Sequence, residues 1–163
     1  MENTAYLLLG SNLGESLRIF EEVKTRLVSE KVSLIKVSGL YQTSAWGLEN
    51  QPAFLNQVLK INTFFSAFEL LDFTQHLEDA FGRQRIIKYG ARTLDIDILY
   101  FNSEIIDSLI LTIPHPQIPF RRFTLVPLAE ISPDFIHPIL NKTQQQLLEV
   151  CLDSGKIQKL SLV

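Results

Sequence analysis

Cysteine is almost absent from this chain. Cys151 stands alone among 163 residues, which excludes an internal disulfide and a cysteine-based zinc centre. Long apolar runs are missing too, and nothing approaches the roughly 20 residues of a membrane-spanning helix. Nor is there any surplus of positive charge. Fifteen basic residues face eighteen acidic ones, a net charge of −3 that argues against bulk nucleic-acid binding. Met1-Glu2-Asn3-Thr4 supplies no basic region ahead of an apolar stretch. A secretory leader is therefore not expected, and the cytoplasm is the expected compartment. No repeat, low-complexity segment or linker breaks the chain, so one domain over residues 1–163 is expected.

What the chain does have is concentrated between Gly82 and Phe101. Asp95-Ile96-Asp97-Ile98-Leu99-Tyr100-Phe101 reads as a strand, rich in β-branched and aromatic residues and free of turn formers. Side chains alternate along a strand, so Asp95 and Asp97 share a face with β-carbons roughly 6–7 Å apart. Two carboxylates so placed among apolar neighbours repel each other and lose hydration. An isolated Asp-x-Asp on an edge strand is ordinarily just a partner for nearby arginines. Here Arg83, Arg85, Lys88 and Arg92 precede it, a local cationic cluster in an acidic protein. Oxygen-only ligands beside phosphate-holding cations suit Mg²⁺, which favours carboxylates and substrate phosphates.

The remaining elements follow from periodicity. Thr4 to Leu9 is the first strand. Gly10-Ser11-Asn12-Leu13-Gly14 turns the chain, with Asn12 and Glu15 as expected N-cap and box partner. The glycine loop lacks a P-loop lysine and reads as a turn rather than a phosphate cradle. Leu13, Leu17, Phe20, Val23 and Leu27 predict an amphipathic helix to about Ser29. Lys31 to Thr43 reads as one strand with Ile35, Val37, Tyr41 and Thr43 on one face. A loop at residues 44–52 holds Trp46, which is either a lid on a flat ligand or a core anchor. Ala53 to Phe64 returns as a strand that puts Phe54 and Asn56 on one face. Ser66-Ala67-Phe68-Glu69 is a capping box opening a helix to about Phe81, with Gly82 as its stop. Gln75 and Glu78 share a face of that helix, where a solvated role is the ordinary one.

Beyond the Asp-x-Asp strand, Glu104 to Ile106 reads as a short strand. Two prolines hold His115 in an extended segment. Arg121, Arg122 and Phe123 lead into an apolar helix to about Glu130, and His137-Pro138 reads as loop. Thr143 and Gln146 box a last helix ending at Gly155, and Leu160 to Val163 is an expected edge strand. The order β-α-β-β-α-β predicts an α+β, ferredoxin-like sandwich: an antiparallel sheet, helices on one face, and a helical C-terminal extension.

Taken together, Gly10-Ser11-Asn12-Leu13-Gly14, Gln51-Pro52-x-Phe54-Leu55-Asn56, Gly82-Arg83-x-Arg85, Gly90-x-Arg92-Thr93-Leu94-Asp95-Ile96-Asp97 and Pro114-His115-Pro116 resemble the 6-hydroxymethyl-7,8-dihydropterin pyrophosphokinases. The resemblance covers nearly the whole chain. It implies transfer of pyrophosphate from ATP to the pterin hydroxymethyl group, releasing AMP, in folate biosynthesis. It implies two Mg²⁺ ions on Asp95 and Asp97, and phosphate charge steadied by Arg83 and Arg92. Gln75, Glu78, Arg85, Thr112, His115 and Arg121 would surround ATP. Thr43, Trp46, Phe54, Asn56 and Phe123 would form the pterin pocket. The expected partners are thus ATP and 6-hydroxymethyl-7,8-dihydropterin, with neither nucleic acid nor membrane, on a monomer or weak dimer. The chain departs from the family pattern at Tyr89, Ala91, Ile110 and Pro116. The rival classes are an RNA-binding module and a regulatory ligand-binding domain. For the first, the acidic chain carries no RNP-type aromatic strand motif; the second needs no pair of aspartates behind an arginine loop.

Trp46 is the sole tryptophan, so emission reports one site. If its loop closes over ligand, titration with a non-hydrolysable ATP analogue and then a pterin changes the spectrum. An unchanged spectrum with calorimetrically confirmed binding places Trp46 elsewhere.

Overall fold

The computed structural model describes residues 1–12, 15–43, 53–82 and 94–161. Its strands are β1 (Asn3–Ser11), β2 (Ser33–Val37), β3 (Tyr41–Thr43), β4 (Phe54–Thr63), β5 (Asp95–Phe101), β6 (Ile106–Asp107), β7 (Thr112–Ile113) and β8 (Ile157–Lys159). Its helices are α1 (Ser16–Ser29), α2 (Ala67–Ala80), α3 (Arg122–Ile131) and α4 (Gln144–Val150). The main sheet runs β5-β1-β4-β3-β8, with β2 also paired to β4. All its pairings are antiparallel, and β6 and β7 form a separate hairpin. With β2 and β3, which both pair with β4, counted as one interrupted strand, the order through β5 is the β-α-β-β-α-β of the expected ferredoxin-like fold.

Each face of the sheet carries a core. On one side Leu7 and Leu9 of β1, Leu59 and Ile61 of β4 and Ile96 and Ile98 of β5 pack against Phe20, Val23 and Leu27 of α1 and Leu70 and Leu77 of α2. On the other, Tyr6, Leu8, Val58 and Leu99 meet Leu125 and Leu128 of α3 and Leu147 of α4. The expected one-sided sandwich is thus corrected: the C-terminal helices cover much of the second face. Alternation explains it, since β1 is apolar at consecutive positions and must bury both sides.

Several boundaries also differ from expectation. The strand read as Lys31–Thr43 is two strands, because Ser38 leaves the ladder in a short clip. Its N–H donates to the Val58 carbonyl and its hydroxyl accepts the Val58 N–H, both at 2.9 Å. A bulge between Leu34 and Lys36 breaks the alternation as well, so Ile35 and Val37 are exposed while Tyr41 is buried. Helix α1 starts at Ser16 with Glu15 at its N-cap and no side-chain cap, whereas Asn12 is buried. Its buried face is Ile19, Phe20, Val23 and Leu27; Leu17 is exposed and Leu13 lies outside the described residues. Strand β6 sits later than Glu104. Helix α4 ends at Val150, not at Gly155, because Cys151 is extended. The last strand is Ile157–Lys159, pairing with β3.

The capping boxes Ser66–Glu69 and Thr143–Gln146 are both present. Gly82 closes α2 at φ +72°, a conformation other residues adopt at a cost. The C-terminal segment is fastened at two points. Asp153 accepts the Arg122 N–H at 3.0 Å, serving the start of α3 that lacks a cap of its own. Glu130 near the end of α3 accepts from the Gly39 N–H at 2.8 Å and from Lys159 at 2.6 Å. Burial would raise the Glu130 carboxyl, but these donors and the Tyr41 hydroxyl outweigh it and hold it below the ordinary range. The Tyr41 phenol is pushed up to about 12, by burial first and by Glu130 second.

His137, read as loop, is a buried strut. Its Nδ1 accepts the N–H groups of Ile139 and Leu140 at 3.1 Å each, and burial lowers its pKa. The unfolded chain takes up this proton near pH 6.5, the folded chain only at lower pH. The unfolded state therefore binds more protons in that window, and stability falls as pH drops through about 6.5. Denaturant midpoints measured between about pH 7.5 and 5 should show a smaller fall in His137→Asn than in wild type. An unchanged fall would remove His137 as its source.

Candidate active site

Strand β1 lies between β4 and β5, and its register assembles the site. Gly10 stands opposite Asn56 on one side and Asp95 on the other. Two residues back, Leu8 stands opposite Val58 and Asp97. Directly opposed residues share a face, so Asp95, Asp97 and Asn56 all look toward the α3 side. Gly10 contributes no side chain between them. A β-carbon there would lie 3.4 Å from Asn56 Oδ1 and fill the trough separating Asn56 from Asp95.

The trough opens into a cleft of about 420 Å³ beside the start of α3. Thr43, Phe54 and Asn56 form one wall, Asp95 and Asp97 the other, and Arg121 and Phe123 lean over from the start of α3. The Asn56 amide donates to the Thr43 hydroxyl at 3.5 Å. The Arg121 guanidinium lies 5.5 Å from the centre of the Phe123 ring, a stacking that holds both over the opening.

His115 borders Asp97. Its backbone N–H donates to the Leu99 carbonyl at 2.9 Å, so the proline-flanked segment runs alongside β5. Nδ1 accepts the Gln117 N–H at 3.2 Å, which puts the proton of the neutral ring on Nε2, 4.0 Å from Asp97 Oδ1. Burial lowers the His115 pKa; Asp97 opposes that shift and Arg121 adds to it. The ring is neutral near pH 7 and offers a donor toward the aspartate.

Glu78 is buried near the end of α2, and its Oε2 accepts the Ile96 N–H at 2.9 Å. That amide belongs to the residue between the two aspartates, on the edge strand of the sheet. The sequence alone favoured a solvated face here, and burial corrects that reading. Gln75 on the same helix is exposed, as is Thr112 on β7, and neither lines the cleft. Arg83, Arg85, Lys88, Arg92 and Trp46 lie outside the described residues. Leu8, Gly10, Gln117 and Phe120 line the cleft without having been singled out as site residues. The signal for Phe120 was an aromatic beside Arg121 in a proline-bounded turn; for Gly10 it was the glycine motif itself.

Known proteins resemble this chain. A model of the family described as 7,8-dihydro-6-hydroxymethylpterin-pyrophosphokinase (HPPK) matches residues 6–133. The chain belongs to this family. A Bacillus subtilis 2-amino-4-hydroxy-6-hydroxymethyldihydropteridine pyrophosphokinase is 43% identical over 132 residues, 80% of this chain and 79% of its own. An Aquifex aeolicus protein of the same name is 42% identical over 139 residues, covering 85% and 86%. The folic acid synthesis protein fol1 of Schizosaccharomyces pombe is 38% identical over 93% of this chain, which spans only 21% of that protein. A crystal structure of Plasmodium falciparum HPPK-DHPS with pteroate superposes with a TM-score of 0.73 at 17% identity, over 91% of this chain and 42% of that one. At that identity the likeness concerns the fold, and it agrees with the HPPK topology described above.

The Glu78 contact makes a measurable claim. Glu78→Ala should cost about 2 kcal/mol in denaturant unfolding, the scale of a buried hydrogen bond to a charged group. It should also speed hydrogen exchange at the Ile96 amide. Glu78→Gln keeps a carbonyl acceptor and should retain most of the protection. Equal exchange in all three proteins would show that the bond does not hold β5.

Proposed function

We propose that the cleft between Asp95, Asp97, Asn56 and Phe123 is where this HPPK carries out its reaction. The enzyme transfers pyrophosphate from ATP to the hydroxymethyl group of 6-hydroxymethyl-7,8-dihydropterin, in folate biosynthesis. The hydroxymethyl oxygen attacks the β-phosphorus of ATP, the bond from that phosphorus to the α-phosphate oxygen breaks, and AMP leaves as the hydroxyl gives up its proton. The observation that carries this placement is the register that sets two carboxylates beside a trough floored by Gly10.

ATP-dependent kinase chemistry uses a divalent metal, and the donors here fit one. Asp95 and Asp97 offer hard oxygens from one face of β5, and both line the cleft. Such a site suits Mg²⁺, whose remaining positions go to water and substrate phosphates. We assign two Mg²⁺ ions to the pair; when bound they offset phosphate charge and polarise the attacking hydroxyl.

The chain's own groups do the rest. A flat pterin fits between the rings of Phe54 and Phe123, and the Asn56 amide, steadied by Thr43, reads its polar edge. Arg121 faces the phosphate side of the cleft. His115 holds an Nε2 donor toward Asp97 and the nucleotide. By the motif match, Arg83 and Arg92 complete the phosphate contacts, with Arg85, Gln75 and Thr112 toward the nucleotide and Trp46 toward the pterin. Such contacts align the reactants and stabilise the charge that develops in transfer. Leu8, opposite Asp97 in the sheet, lines the cleft with an apolar side chain beside the carboxylates.

Incubation with Mg-ATP and the reduced hydroxymethylpterin should yield AMP and the pterin pyrophosphate in equal amounts. Formation of ADP and a monophosphorylated pterin would refute the reaction. Asp95→Asn and Asp97→Asn should each lower turnover by about a hundredfold or more. Without Mg²⁺ their melting temperatures should hold or rise slightly, because one of two like charges is gone. A variant that melts lower without metal yet still turns over would sink the metal assignment.

A further inference from the structure

A second concavity, of about 590 Å³, opens at the other end of the same sheet face, past the C-terminus of α3. Tyr6 and Lys60 form its floor, with Lys36, Ser132, Asn102 and Phe135 around them. On β1 and β4 it lies four residues from the active cleft, from Gly10 to Tyr6 and from Asn56 to Lys60. That is about 13 Å, from four rises of roughly 3.3 Å.

Lys36 and Lys60 are direct cross-strand partners. Like charges placed so, with β-carbons about 4.5–5.5 Å apart, destabilise a sheet. Regular alternation would have avoided the conflict. Leu34 packs toward the core beneath α1 and α2, and two residues later Lys36 would face that same side. The bulge between them turns Lys36 to the α3 side instead, next to Lys60.

Among the described residues neither lysine forms an ion pair, although Asp134 stands on the rim. The Lys36 ammonium donates to the Ile131 carbonyl at 3.0 Å, and the Lys60 ammonium sits 5.9 Å from the centre of the Tyr6 ring. Each ammonium carries three donors, so both have donors left. The Ser132 hydroxyl accepts from the Tyr6 hydroxyl at 2.7 Å and keeps its own proton to give. The negative end of α3 accounts for Lys36 and the Tyr6 ring for Lys60, but neither contact removes the repulsion between the two ammonium groups.

We propose that this cleft binds a small oxyanion of the phosphate class, bridged by Lys36 and Lys60 and hydrogen-bonded by Ser132, at a site distinct from the active cleft. Such an anion removes the repulsion between the lysines and uses their remaining donors.

Inorganic phosphate is titrated into ¹⁵N-labelled protein whose active cleft is filled with Mg²⁺ and a non-hydrolysable ATP analogue, with ionic strength held constant by chloride. Saturable amide shifts are expected at Lys36, Lys60 and Ser132, with binding about tenfold weaker in Lys60→Gln. In phosphate-free buffer Lys60→Gln should melt no lower than wild type, and phosphate should raise the melting temperature of wild type alone. Shifts that persist undiminished in Lys60→Gln, or that chloride reproduces, overturn the proposal. An equal response to acetate overturns the phosphate assignment in favour of carboxylates.

Discussion

The register of β1 between its two neighbours is the constraint on which this molecule depends. Side chains alternate with a period of two, so a slip of one residue would carry Asp95 and Asp97 into the core beneath α1 and α2. Burial on both faces of β1 prevents the slip. Ala5, Leu7 and Leu9 are buried toward one pair of helices and Tyr6 and Leu8 toward the other. Each such side chain contributes about 1.5–3 kcal/mol when taken out of water. A one-residue shift would forfeit several of these at once while burying two carboxylates. The same arithmetic that fixes the fold therefore fixes the floor of the site.

The upper wall depends on chain far from the Asp-x-Asp motif. Arg121 and Phe123 are placed by the start of α3, and that start is served by Asp153, some thirty residues later. The other end of α3 is joined through Glu130 to Gly39 and Lys159. Both Asp153 and Lys159 fall outside residues 6–133, which the family model matches. The Lys159–Glu130 pair is largely exposed, so its energy is small. Its value is geometric, since it keeps β8 beside β3 and thereby Thr43 at the edge of the cleft.

Much of this was legible in the sequence because local rules apply. Both capping boxes, the glycine stop after α2 and the shared face of Asp95 and Asp97 depend on residues within a few positions of one another. The shared face of Phe54 and Asn56 was legible for the same reason, whereas Thr43 joined them only through the family resemblance. What escaped was set by distant partners. Glu78 looks like any polar helix residue until β5 brings the Ile96 amide to it. The bulge at Ile35 leaves no mark in the spacing of Leu34 and Lys36. The interrupted strand at Ser38 depends on the Val58 backbone twenty residues away. The second apolar face of β1 was visible as a continuous run, but not which helices would cover it.

The bulge has a consequence outside any ligand cleft. Strand β8 covers the outer edge of β3, but among the described residues nothing pairs with the outer edge of β2. Bare edges invite strands from other molecules to dock and propagate. On β2 that edge is five residues long, kinked at Ile35 and charged at Lys36. A docking strand would find the donors and acceptors of β2 out of step after Leu34, with an ammonium beside the contact. The irregularity that spoils the strand's alternation thus also makes β2, with Ile35 and Val37 exposed, a poorer template for a second strand.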